Sequence, residues 1–170
     1  ITSTSTAPGI VKAMMHVNDK MPNIKTIVID DWQYMSSFEY FDRANEKGYD
    51  KFTQIAANLA QVAKLPKDLR DDLTIIFLTH SEDSTDINGN RRIKAKTVGK
   101  MIDNTLTLEG LFSIVLFGKV NKNDDGVLEY GFETQNNGEN TCKSPMGMFK
   151  ESFIPNDLQY VKDCIEEYNK

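Results

Sequence analysis

Two short runs, Lys25-Thr26-Ile27-Val28-Ile29 and Leu73-Thr74-Ile75-Ile76-Phe77-Leu78-Thr79, constrain the fold more than any other feature of this chain. Their apolar residues are mostly β-branched and follow one another without alternating with polar ones. A strand with one wet face alternates, whereas a parallel strand covered on both faces does not. Between the runs, Asp50 to Lys64 places Phe52, Ile55, Ala56, Leu59, Val62 and Ala63 on one helical face. Asp50 is suited to the N-cap, and Pro66 stands just beyond the end. Strand, helix, strand in that order is a βαβ unit, which crosses over right-handedly into a parallel sheet. The first run is expected to be a central strand, buried on both faces.

The remaining segments are less regular. Residues 1 to 9 are Ser/Thr-rich with Pro8-Gly9 and read as a loose leading segment, followed by a short amphipathic helix from Ile10 to Met21. Trp32 to Tyr49 is rich in aromatics without a clean period, so an irregular excursion with a helical turn or two is expected. Ser81 to Asn90 reads as a polar surface loop with a turn at Ile87-Asn88-Gly89-Asn90. Val98 to Leu111 reads as a broken helix, and Leu111 to Val120 as a third apolar strand. Asn123-Asp124-Asp125-Gly126 then signals a hairpin into Val127 to Thr134, and Pro155-Asn156-Asp157 opens a last helix with Leu158, Val161, Ile165 and Tyr168 inward.

At 170 residues, 39% hydrophobic and 26% charged, the chain suits one compact domain with a real core. A net charge of -5 argues against a uniformly basic protein that coats nucleic acid. Cys142 and Cys164 are far apart and form no C-x-x-C spacing, which points away from a disulfide framework or a zinc site and fits a reducing cytoplasm. No apolar run approaches the roughly 20 residues that span a bilayer, so no membrane partner is expected. The chain begins at Ile1 and not at a methionine, which fits a piece of something longer.

The chemistry-bearing residues gather at the ends of the two runs. Ligands of parallel α/β sheets collect at the carboxyl ends of the strands, and here those ends carry Asp30-Asp31 and His80-Ser81-Glu82. Asp30 is the candidate for holding Mg2+, a small hard cation that prefers oxygen ligands. Asp31 would orient or deprotonate an attacking water, and His80 would bond a terminal phosphate. The same pair also reads as a solvated strand end or a helix cap. His16 lies among apolar residues of the first helix and is given no role. No G-x-x-x-x-G-K-[ST] loop is present, since Gly99-Lys100 and Gly118-Lys119 are followed by Met101 and Val120.

In order, these features resemble phage-type RecA-like P-loop ATPases, the AAA-domain ATP-binding proteins of phage recombination and replication modules. Ile27-Val28-Ile29-Asp30-Asp31 is similar to a Walker B strand, Ile76 to Glu82 to the sensor strand, and Thr141-Cys142-Lys143-Ser144-Pro145-Met146-Gly147-Met148-Phe149 to a late lysine motif. The resemblance implies a RecA-like α/β core with a mainly parallel sheet flanked by helices and an antiparallel hairpin at one edge. It further implies a single domain over 1–170, N-terminally incomplete because the Walker A strand, loop and helix are missing. ATP and Mg2+ follow as cofactors, with Asp30, Asp31 and His80 at the nucleotide. Asp31, His80, Glu82 and Lys143 are then catalytic, Lys143 acting in trans within a ring or filament of identical subunits. The pattern departs from many relatives at Pro145, where an arginine is common.

The basic run Arg91, Arg92, Lys94, Lys96 and Lys100 follows the sensor strand, where the resemblance implies contact with single-stranded DNA. A solvated, charge-balanced loop accounts for it equally. Two rival readings stand beside the ATPase. One is a non-catalytic interaction module that keeps a degenerate RecA-like fold. The other is a metal-dependent nuclease using Asp30, Asp31, His80 and Glu82.

Overall fold

The computed structural model describes residues 3–85, 87–97 and 107–170. It shows a mixed α/β protein that divides into two compact units, Ile1–Glu82 with Ala95–Leu111 and Asp83–Lys94 with Phe112–Lys170.

The first unit opens with α1, Ala7–Lys20, so the helix begins within the segment expected to be loose. Thr6 caps it by accepting from the Gly9 amide at 3.3 Å, and Pro8 occupies the first turn, where its missing N–H costs nothing. β1, Thr26–Ile29, pairs in parallel with β2, Thr74–Phe77, in the register Thr26↔Thr74 to Ile29↔Phe77. The parallel βαβ crossover is therefore present. Among the described residues, however, this sheet has two strands only, and Val28 is half-exposed, so β1 is not a central strand buried on both faces. A continuous β-branched run reports strand propensity as well as two-sided burial, and at Val28 only the first holds.

Two helices fill the crossover. α3, Asp50–Lys64, matches the expected bounds and buries Ile55, Leu59, Val62 and Ala63. Asp50 lies in its first turn, where its charge suits the helix dipole, and not at the N-cap, which Tyr49 occupies without a side-chain bond. α2, Gln33–Asp42, replaces the expected irregular excursion. Its polarity is inverted: Gln33, Met35 and Ser36 are buried, while Tyr34, Phe38 and Phe41 are 42%, 48% and 69% exposed. A search for apolar residues on one inward face could not register such a helix. Arg70 ties the unit together, donating to the carbonyls of Val17, Asn18, Met21 and Ile24 at the end of α1 and the approach to β1.

A two-stranded ribbon of β3, Ser81–Thr85, and β4, Arg91–Ala95, replaces the expected loop and carries the chain into the second unit. The turn at Asn88-Gly89 stands where expected, with Gly89 left-handed. Most of the broken helix expected over 98–111 lies outside the described residues, and Leu108–Leu111 forms a 3-10 turn.

The second unit holds an antiparallel sheet of β5, Phe117–Lys122, β6, Leu128–Glu133, and β7, Phe153–Pro155. The expected third apolar strand is thus shorter: β5 begins at Phe117, and Val115 makes only an isolated bridge with Lys143. The Asp-Gly hairpin is present, with the Gly126 amide donating to Asn123 O at 2.9 Å and Gly126 at φ 81°. It belongs to this separate sheet, and the parallel pairing described above is that of β1 with β2. α4, Leu158–Tyr168, is capped by Asp157, and Val161 joins Met148, Phe149 and Ile154 in the core. Ile165 packs against that core, while Leu158 and Tyr168 stay exposed.

Candidate functional site

The site grows out of the way β1 ends. The Leu78 amide donates to Ile29 O at 2.9 Å, extending the parallel ladder, and the Trp32 amide then donates to Leu78 O at 3.1 Å. Trp32 is buried, with its ring edge-on to Phe77 at 5.0 Å. The chain must turn sharply between Asp30 and Trp32 to bring the indole inward and start α2. Asp31 makes that turn with φ 50°, and among the described residues it alone is left-handed without being glycine. Aspartate tolerates this region better than most residues, yet the conformation still costs free energy.

The turn aims the Asp31 carboxylate at the end of β2. Asp31 Oδ1 lies 3.2 Å from His80 Nε2 and accepts from Gln33 Nε2 at 3.3 Å. The same Gln33 amide accepts through Oε1 from the His80 backbone N–H at 3.3 Å. A buried carboxamide thus holds the end of β1 and the end of β2 together. Tyr34 packs edge-on to the His80 imidazole at 6.0 Å. The Asp31 and His80 side chains remain 51% and 57% exposed, so their pairing adds little to stability and leaves both open to a ligand.

Of the residues nominated from sequence, the structure therefore brings Asp31 and His80 into contact. Asp30 is exposed beside them, and Glu82 is part-buried on β3. Lys143 belongs to the second unit, where its backbone exchanges hydrogen bonds with Val115. Its neighbours fix the segment: Cys142 is buried, Ser144 Oγ donates to Thr134 O at 3.2 Å, and Met148 and Phe149 enter the core. Burial, assisted by Glu133, pushes the Cys142 thiol up to about 12. His16 is exposed on α1 and not packed among apolar residues.

Part of the basic run is engaged by neighbouring groups, and Lys100 lies outside the described residues. Arg91 grips Asp83 through Nε at 3.2 Å and Nη2 at 3.0 Å, and that carboxylate raises the guanidinium further above its ordinary range. Arg92 donates to the Gly138 carbonyl. Lys94 is part-buried on β4, and the Lys96 amide donates to His80 O at 2.8 Å. The exposed loop expected here is a paired ribbon, whose strands engage part of this charge.

Gln33 and Tyr34 were not visible as site residues in the sequence. The only signal was adjacency, two polar or aromatic positions directly after the acidic pair. Among the described residues no group of three or more His, Cys, Asp or Glu side chains could hold a metal ion, and no helix is long and apolar enough to cross a membrane. Comparison of the chain with family models, characterised proteins and solved structures yields no match.

Proposed function

We propose that Asp30, Asp31 and His80 form the metal and terminal-phosphate side of an ATP site in a RecA-like protein of phage recombination or replication. The observation that carries this reading is the Asp31–His80 contact at the carboxyl ends of two adjacent parallel strands, held by a left-handed Asp31. Carboxylate oxygens suit Mg2+, which keeps much of its water and takes one or two carboxylates along with phosphate oxygens. When bound, the ion would neutralise charge on the phosphate chain. Asp31 would hold a water through one oxygen while His80 and Gln33 engage the other.

These 170 residues carry no phosphate-cradling loop. In the intact protein a strand, loop and helix from outside them would add to the β1–β2 sheet. Hydrolysis and coupling to single-stranded DNA would belong to that whole protein, assembled as a ring or filament with Lys143 acting across subunits.

The test is thermal unfolding of the protein extended upstream of Ile1, with and without Mg-ATP. Nucleotide at 100 times its dissociation constant should add about 2.7 kcal/mol of folded-state stability. Asp31→Asn should abolish turnover. No stabilisation, and no Gly-rich G-K-[ST] loop upstream, would remove the basis of the reading. The interaction-module alternative is favoured by one observation, the outward aromatic stripe of α2, and it predicts no response to Mg-ATP.

A further inference from the structure

We propose that a second copy of this chain docks on the outward face of α2, and that the turn carrying Met146 is the element that docks. Tyr34, Phe38 and Phe41 stand at i, i+4 and i+7, the spacing by which a helix presents anchors to a partner. The Tyr34 and Phe38 rings stack at 5.7 Å, and with Phe41 they make a half-exposed aromatic strip. A carboxylate stands at each end of it, Asp31 ahead of Tyr34, with one oxygen engaged by His80 and Gln33, and Asp42 one turn beyond Phe38. Glu39, by contrast, is taken up by Arg43 and Asn58.

The chain itself carries a matching element. The turn at 145–148 is closed by the Met148 amide donating to Pro145 O at 3.2 Å, with Gly147 left-handed. It buries Met148 and projects Met146 until that side chain is 94% exposed. An unbranched thioether is adaptable and favours aromatic faces. Lys143 and Lys150 flank it, and among the described residues Lys143 makes no ion pair. Cation, thioether, cation therefore meets carboxylate, aromatic strip, carboxylate.

Pairing α2 with α2 about a two-fold axis is disfavoured, because antiparallel strips would set Asp31 of one copy against Asp42 of the other. The contact accordingly joins the docking turn of one copy to the strip of another. Docking needs no nucleotide. Only a nucleotide role for Lys143 beside the neighbour's Asp31 rests on the function proposed above.

Sedimentation equilibrium of the 170-residue chain tests this over about 10–500 µM, the range of weak interfaces. The mean mass should rise with concentration. Met146→Ser, and separately Phe38→Ser with Phe41→Ser, alter exposed side chains only, so far-UV circular dichroism and Trp32 fluorescence should match the parent. Each should weaken association at least tenfold. An equimolar mixture of the two should form a 1:1 dimer and stop there, since one turn and one strip survive. A parent that stays monomeric, a Met146→Ser protein that associates like the parent, or a mixture that stays monomeric overturns the proposal. Association without any Mg-ATP stabilisation of the extended protein would keep the docking and remove the nucleotide reading, and the reverse result would separate them the other way.

Discussion

Replacing Arg70 with alanine tests how the first unit positions its strands. The guanidinium donates to the carbonyls of Val17 at 2.8 Å, Asn18 at 2.9 Å, Met21 at 3.3 Å and Ile24, while Nε reaches Asp72 Oδ1 at 2.8 Å. Val17 O and Met21 O also accept from the Met21 and Ile24 amides, but Arg70 is the donor that reaches the Asn18 and Ile24 carbonyls, and it offsets the negative end of the α1 dipole. Hydrogen bonds to a charged group contribute about 1.5–3 kcal/mol when enclosed, and neutral ones about 0.5–1.5 kcal/mol. Because the Arg70 side chain is 20% exposed, water recovers part of each bond. Counting only the part-buried carbonyls of Val17, Asn18 and Ile24, at about 1 kcal/mol each, gives a loss of about 3 kcal/mol. The exposed Asp72 contact adds nothing to that sum. Arg70→Lys keeps a charge near the helix end, worth about 0.3–1 kcal/mol, but one ammonium cannot span four carbonyls. Trp32 is the chain's single tryptophan and is buried in this unit, so urea unfolding followed by its fluorescence reads this unit directly. With a slope of about 1.5 kcal/mol/M, the midpoint should fall by about 2 M at unchanged slope. A loss under about 1 kcal/mol, or a lysine variant equal to the parent, would refute the capping argument.

Further outcomes follow from the same geometry. Asp31→Gly removes the carboxylate together with the left-handed cost, whereas Asp31→Ala removes the carboxylate alone. The glycine variant should be the more stable by about 1 kcal/mol in Trp32 fluorescence, and equal stabilities would mean that residue 31 is not left-handed in solution. A methyl group at Gly131 would clash with the Phe153 ring and lie 2.6 Å from the Ile154 carbonyl oxygen. Gly131→Ala should cost the second unit about 1–3 kcal/mol by far-UV circular dichroism. Adding Phe153→Ala should not restore it, because the Ile154 carbonyl is backbone. The Cys142 thiol, ordinarily near 9.0, is pushed up to about 12 in the folded state. Its neutral form is thus favoured by folding, so this contribution is present below 9.0 and is lost as pH rises through about 12. Cys142→Ala should flatten that alkaline limb, and native Cys142 should resist alkylation at pH 8 while 6 M guanidinium exposes it.

What could be read from the sequence was what regular periodicity or turn chemistry encodes. α3 was legible because Ile55, Leu59 and Val62 sit on one face, and the β5–β6 hairpin because Asp125-Gly126 supplies a left-handed glycine. The parallel pairing of Thr26–Ile29 with Thr74–Phe77 followed from the crossover between them. α2 was illegible for a physical reason. Its inward residues include Gln33 and Ser36, and its outward ones are aromatic, so hydrophobicity points the wrong way. The ribbon of β3 and β4 was hidden because its strands are polar, so no apolar alternation reveals them, and the exposed Arg91–Asp83 pair adds little.

The half of the site that sequence suggested and the half that it concealed share one cause. Positions 31 to 34 alternate in direction: Asp31 turns to the end of β2, Trp32 enters the core, Gln33 is buried between the strand ends, and Tyr34 faces solvent. The indole demands the turn, the turn demands a residue that tolerates φ 50°, and an aspartate there delivers its carboxylate to His80. Gln33 then satisfies both Asp31 and the His80 amide, which would otherwise compete for water. With Gln33 committed inward, the helix phase is set, and Tyr34, Phe38 and Phe41 have no choice but the outer face. The charged pair and the aromatic strip are therefore consequences of the same four residues, and a change at Trp32 should disturb both together.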